Sequence, residues 1–127
     1  MNNNIQESYC SFEVSKLLKE KGFDIIGQKW YSADKSIYYQ DEFNNNRGHI
    51  PSLYCEAPTH ALAIEWIRVN FGIWISVDFD TKYWFTIITN LSEKDEELNH
   101  EVRGDEHKIP QEATEAALLY TLQNLIP

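Results

Sequence analysis

Apolar residues recur along this chain with two different periods, and the switches between those periods divide it into five elements. Cys10, Val14, Leu17 and Leu18 stand at i, i+4, i+7 and i+8, one stripe of a helix from about Ser11 to Lys21. Ser11 suits the N-cap and Glu13 favours the positive end of the dipole. Gly22 can take the left-handed conformation that ends the helix, letting Phe23 fold back on Leu18. Ile25 to Tyr31 and Ser36 to Gln40 are rich in β-branched and aromatic residues and predict a strand pair around a Ser32-Ala33-Asp34-Lys35 turn. Pro58 and Thr59 punctuate the start of a second helix, over about Thr59 to Phe71, with Leu62, Ala63, Trp66, Ile67 and Phe71 as its apolar face and Gly72 as its stop.

Period two then returns. Ile73, Ile75, Val77 and Phe79 alternate with Trp74, Ser76 and Asp78, and Tyr83, Phe85 and Ile87 alternate with Trp84, Thr86 and Ile88. The two aliphatic rows share a face only if an odd number of residues separates the strands, since a one-residue slip turns every side chain over. A three-residue turn, Asp80-Thr81-Lys82, is therefore expected, with Phe79 opposite Tyr83 and Val77 opposite Phe85, although no Gly is present for its left-handed position. The last helix begins at Pro110 or Gln111, carries Glu112 and Glu115 in its first turn, and buries Leu118, Leu119, Leu122, Leu125 and Ile126. Residues 1–7 read as a loose tail, and 41–52 and 90–108 as polar loops, the second with a helical turn or two over Ser92 to Leu98 as the alternative.

The expected fold is a single α+β domain over 1–127, with element order α-β-β-α-β-β-α and an antiparallel four-stranded sheet covered by helices on one face. Two αββ units offset by fifty residues match in character at Val14/Ile64, Leu17/Ile67, Gly22/Gly72 and Ile25/Ile75. Any two amphipathic helices ended by Gly would match almost as well.

Composition narrows the function classes. With 43% hydrophobic and 13% aromatic residues, the chain has the material for a core and does not read as disordered. Its net charge of −9 opposes nucleic acid and anionic membranes, and its few cations, such as Lys16, Lys19 and Lys21 around Glu20, do not form a patch. No run approaches a membrane span, and the polar start Met1-Asn2-Asn3-Asn4 does not resemble a signal peptide. A reduced, cytoplasmic protein with Cys10 and Cys55 as free thiols is the expectation.

Three segments together carry a resemblance: Ser8-Tyr9-Cys10-Ser11-Phe12-Glu13-Val14-Ser15-Lys16-Leu17-Leu18-Lys19-Glu20-Lys21-Gly22-Phe23, then Ala57-Pro58-Thr59 leading to Trp66-Ile67-Arg68, then Glu115-Ala116-Ala117-Leu118. They are similar to an uncharacterised family of short proteins from phages and mobile elements of gut Bacteroidales. The likeness covers roughly half the chain, mostly helices, and is weakest from Asp24 to Leu53. It implies a setting in the cytoplasm of a bacterial host and an origin in a phage or integrated element, and brings no activity, cofactor or site residue with it.

Candidate chemistry is sparse. Cys55 and His60 flank the start of the second helix, where a thiolate is stabilised and a nearby His could act as base; a half-buried Cys beside a surface His explains the same residues. Cys10, Cys55, His49, His60, His100 and His107 are the possible metal ligands, yet none has the close paired spacing of a structural zinc site, so no metal and no cofactor is expected. Asp78 and Asp80 share a strand face, a D-x-D arrangement able to hold Mg²⁺, but Asp80 is equally well a turn former. Phosphate-binding glycine motifs are absent from the sequence.

If Ile75, Val77, Phe85 and Ile87 face the core, then Trp74, Trp84 and Ile88 point away from it, with Asp78 at their edge. Either a loop covers these indoles or they form a contact surface. The leading expectation is a non-enzymatic protein-binding or regulatory protein that uses Trp74, Trp84, Ile88 and Asp78 on a protein partner. The alternatives are a small enzyme built on Cys55 and His60 and a self-associating structural protein.

Overall fold

The computed structural model describes residues 7–39, 52–91 and 101–127. Among them are three helices, α1 (Phe12–Glu20), α2 (His60–Phe71) and α3 (Pro110–Asn124). The strands are β1 (Lys29–Tyr31), β2 (Ile37–Tyr39), β3 (Cys55–Glu56), β4 (Ile73–Asp80), β5 (Tyr83–Asn90) and β6 (Glu101–Arg103). The expected tail, the loop at 41–51 and the helical turns after Ser92 lie outside the described residues.

The helices start and stop where their local chemistry requires. The Ser11 hydroxyl accepts the Val14 N–H at 3.2 Å, and Gly22, at φ 104°, closes α1. The N–H of Phe23 reaches the Leu18 carbonyl at 2.9 Å and that of Gly22 reaches Lys19 at 3.1 Å, the paired bonds of a Schellman end. Thr59 caps α2 through the Leu62 N–H at 3.1 Å, and Gly72 ends it at φ 68°. In α3, Pro110 occupies the first turn, and the buried Thr114 and Thr121 hydroxyls donate back to the carbonyls of Pro110 and Ala117.

The sheet departs from the expectation. Instead of one four-stranded sheet, the described strands form two three-stranded antiparallel sheets, ordered β2-β1-β3 and β4-β5-β6. Each hairpin recruits a short third strand rather than pairing with the other. The first hairpin is small because pairing starts only at Lys29, leaving Ile26 86% exposed. The third strand joins the leading strand of the first hairpin and the trailing strand of the second, so the αββ similarity does not extend to sheet order. No helix among the described residues is long and apolar enough to cross a membrane.

The second correction concerns register. β4 and β5 are joined by the two residues Thr81 and Lys82, not three, and Asp80 stands opposite Tyr83, Asp78 opposite Phe85 and Ile75 opposite Ile88. Thr81 supplies the positive φ, at 49°, that a two-residue hairpin demands and that no Gly was available to supply. One residue fewer in the turn reverses the face of every β5 side chain relative to expectation. Ile73, Ile75, Thr86 and Ile88 are therefore buried on one side, against Ala63, Trp66 and Ile67 of α2, Ala117, Leu118 and Leu122 of α3, and Val14 and Leu18 of α1. Trp84 shares that inner side, so of the two indoles Trp74 alone faces outward as anticipated, together with Asp78.

This register predicts unequal costs for neighbouring isoleucines. Ile88→Ala should lose about 2–4 kcal/mol of stability in urea unfolding and Ile87→Ala under about 1.5 kcal/mol. Equal losses, or the reverse order, would contradict the pairing.

Candidate functional site

The segments that lead into α1 and α2 lie antiparallel, bridged at Tyr9 and Thr59. The Cys10 N–H donates to the Pro58 carbonyl and the His60 N–H to the Ser8 carbonyl, both at 2.8 Å. These bonds hold two helix starts side by side. From the second turn of α3, Glu115 reaches into the gap between them. One carboxylate oxygen, Oε1, accepts the Ser11 N–H at 2.7 Å and lies 2.9 Å from His60 Nε2. The Cys10 thiol completes the group: its sulfur, a His60 ring nitrogen and a Glu115 oxygen all lie within 4.8 Å of one another. Tyr31 closes the back, its hydroxyl donating to the Cys10 carbonyl at 2.7 Å.

Burial sets the electrostatics. Desolvation raises the Glu115 carboxyl, but the hydrogen bonds from His60 and Ser11 outweigh it and leave the group below its ordinary value. Cys10 has no exposed surface, and burial together with the Glu115 charge pushes its thiol far upward. A thiol next to a helix N-terminus is usually acidified, and here desolvation and a neighbouring carboxylate reverse that trend. Burial and the same carboxylate raise Tyr31 to about 12, with the two cysteines adding to the effect.

Over this group lies an open hollow of about 490 Å³, lined by Ser8, Tyr9, Ser11, His60, His107, Gln111, Glu112 and Glu115. His107 is carried there by the second sheet, since its backbone exchanges two 2.7 Å hydrogen bonds with Trp84. A neighbouring groove of about 370 Å³ runs from His60 and Thr59 past Pro110 and Thr114 to Val77 and Trp84.

The sequence-derived candidates scatter. Cys55 does not join the group around His60, which contains Cys10 and Glu115 instead. Burial raises the Cys55 thiol even against the opposing Lys19 charge, so neither cysteine is an acidified nucleophile. Ile88, expected on the contact face, is 2% exposed and belongs to the core, while Trp84 packs against Phe79, centroids 4.9 Å apart with the rings tilted by 46°, on the inner side of the hairpin end. Asp78 is exposed on the outer side with Trp74, and the two are not joined there by Trp84. His49 and His100 lie outside the described residues.

That outer side has its own character. Strand alternation places Trp74, Ser76, Asp78 and Asp80 of β4 beside Thr89, Ile87, Phe85 and Tyr83 of β5, with Arg103 and Glu101 on β6. Trp74 is 40% and Tyr83 38% exposed. The Arg103 guanidinium lies over the Phe85 ring at 4.0 Å, within reach of the Asp80 carboxylate at 3.6 Å.

Glu115 is the residue that sequence reasoning passed over. Its signal was present: Glu115 falls on the stripe of Leu118, Leu119 and Leu122, a carboxylate on the buried face of its helix. His60 likewise heads the stripe of Ala63 and Ile67, and Cys10 that of Val14 and Leu18.

The chain matches no protein-family model, no curated protein and no solved structure.

Two substitutions test the group as a structural joint. Glu115→Ala strips the acceptor from Ser11 and His60 and should cost about 1–3 kcal/mol, and Tyr31→Phe, losing one bond, about 1 kcal/mol. Urea midpoints unchanged from the parent chain would show that these bonds do not stabilise the fold.

Proposed function

We propose that this chain is a non-enzymatic protein-binding or regulatory protein whose contact surface is the outer face of the β4-β5-β6 sheet. The observation that carries the reading is an apolar row on a face to which no described helix is packed: Trp74 and Tyr83 are both well exposed, with half-buried Phe85 and Ile87 between them. Isolated exposed aromatics are ordinary, but a contiguous row with a charged rim has the composition of an interface. Asp78, Asp80, Glu101 and Arg103 supply that rim. The surface differs from the one expected from sequence by exchanging Trp84 and Ile88 for Tyr83, Phe85 and Ile87. A net charge of −9 favours a partner with a basic margin around its own apolar patch. A phage or mobile-element origin would make a bacterial host protein the natural partner, in the cytoplasm.

Self-association is the second reading, and one feature favours it. β4 is an eight-residue strand at the edge of its sheet, with Trp74 beside that edge, and long edge strands are templates for pairing with a second copy.

The test combines two measurements on one variant. Trp74→Ser/Tyr83→Ser should unfold at the parent temperature, since both side chains are surface-exposed. Its recovery of a specific bacterial protein should drop by about thirtyfold, the effect of removing an aromatic anchor worth about 2 kcal/mol. Sedimentation over a concentration series assigns the surface to self-association if the parent chain dimerises and the variant does not. Equal recovery by both forms, with both monomeric, removes the surface from consideration.

A further inference from the structure

We propose that Cys10, His60 and Glu115 form a Zn²⁺ site, with the ion bound by the Cys10 sulfur, one imidazole nitrogen of His60 and a carboxylate oxygen of Glu115, and with its fourth position facing the hollow that His107 lines. No sequence motif announces it, because the three ligands come from three separate segments, two helix starts and the second turn of α3.

Geometry is the first support. The three donor atoms already lie within 4.8 Å of one another, and two of them are 2.9 Å apart. Zinc bonds of about 2.0–2.3 Å to nitrogen, oxygen and sulfur place tetrahedral ligands roughly 3.2–3.7 Å from each other. The group needs a movement of about an ångström at the thiol and less at His60 and Glu115. Chemistry is the second. One sulfur, one nitrogen and one oxygen donor suit a borderline-soft cation, whereas calcium and magnesium prefer oxygen alone. Charge is the third. A thiolate and a carboxylate together carry −2, so a divalent cation makes this buried cluster neutral, and burial of the unpaired charges is the cost the ion removes.

An independent observation points to the same place. The Nε2 atom of His107 is shielded from solvent and has no hydrogen-bond partner, and His107 lines the hollow alongside His60 and Glu115. Three protein ligands and one exchangeable position are the arrangement of zinc sites that keep a water.

The proton balance is simple. Zinc enters, the Cys10 thiol releases its proton to solvent as the Zn–S bond forms, and neutral His60 presents the lone pair of its ligating nitrogen with its proton on the other. Nothing is oxidised or reduced. The Ser11 N–H continues to donate to Glu115, orienting the carboxylate as outer-shell partners do.

The experiment uses the full chain, reduced and stripped of metal with a chelator, then titrated with Co²⁺ as the probe and back-titrated with Zn²⁺. Expected are one Co²⁺ per chain, the visible bands of tetrahedral cobalt, a near-ultraviolet thiolate-to-cobalt band, and loss of all of these on adding Zn²⁺. Cys10→Ser should abolish the thiolate band and Cys55→Ser should keep it. Glu115→Gln retains an acceptor for Ser11 and so preserves the fold, yet should weaken Co²⁺ binding by at least about tenfold. If Cys10→Ser fails to fold, the decision rests on the parent chain, Cys55→Ser and Glu115→Gln. A folded parent chain without a thiolate band, a band that follows Cys55 instead of Cys10, or unchanged affinity in Glu115→Gln each overturns the site.

Discussion

The starts of α1 and α2 and the second turn of α3 are tied together by one carboxylate oxygen. Glu115 Oε1 takes the Ser11 N–H and meets His60 Nε2, so a side chain from the last helix satisfies backbone at the beginning of the first and an imidazole at the beginning of the second. A half-buried carboxylate is costly unless donors surround it. Here the Ser11 N–H at the first helix start and the His60 imidazole at the second supply the donors, and both positive dipole ends lie at the same spot. This joint adds a directional constraint to the apolar packing that the three helices share through Val14, Leu18, Ala63, Ile67, Ala117 and Leu118. Ser8, Cys10, Pro58 and His60 fix the first two by backbone hydrogen bonds, and Glu115 ties the third to both. Apolar packing is non-directional and would tolerate sliding of α3 along its stripe, whereas a hydrogen-bonded carboxylate would not.

The same end of the molecule is reached by the second sheet. The backbone of Trp84 pairs with that of His107, which brings the residue leading into α3 beside the hairpin. Gly104 permits the approach just upstream: its N–H donates to the Thr86 carbonyl at 2.8 Å, and a Cβ there would meet the Thr86 hydroxyl at 2.5 Å. Hairpin register and the geometry over His60 are therefore coupled. Shifting β5 by one residue would turn Trp84 outward and withdraw His107 from the hollow.

Much of the fold was legible in residues with strong local meaning. Ser11, Thr59, Gly22 and Gly72 marked helix ends correctly because capping and left-handed closure are decided within a few residues. The hairpin's existence was legible for the same reason. Its register was not, because the decision turned on whether Thr81 would accept a positive φ, and the side-chain pattern argued for the longer turn. Sheet membership was harder still: β3 and β6 have two and three residues, too short to show a period, and they exist only through their partners. The site illustrates a third kind of difficulty. Cys10, His60 and Glu115 are about fifty residues apart in sequence, so no spacing rule links them. What could have linked them was a shared anomaly, a titratable side chain at the head of each buried stripe.

The register also decides which side chains the outer face presents. Of the two rows on β5, Tyr83, Phe85 and Ile87 face outward, while Trp84, Thr86 and Ile88 face the helices. Simple desolvation does not favour this choice, since a buried Thr replaces what could have been a buried Phe. Turn length, the pairing of β6 with β5 and the contact between Gly104 and Thr86 fix it instead. The sheet thus presents an aromatic and aliphatic row to the side without a packed helix and holds it there by backbone constraints. Arg103 lies across Phe85 and shields part of that row with its own stem, as long cationic side chains do over apolar surface. The guanidinium is held over that ring between the carboxylates of Asp80, at 3.6 Å, and Glu106, at 3.7 Å, so Phe85 is half-buried while Trp74 and Tyr83 stay exposed at the two ends of the row.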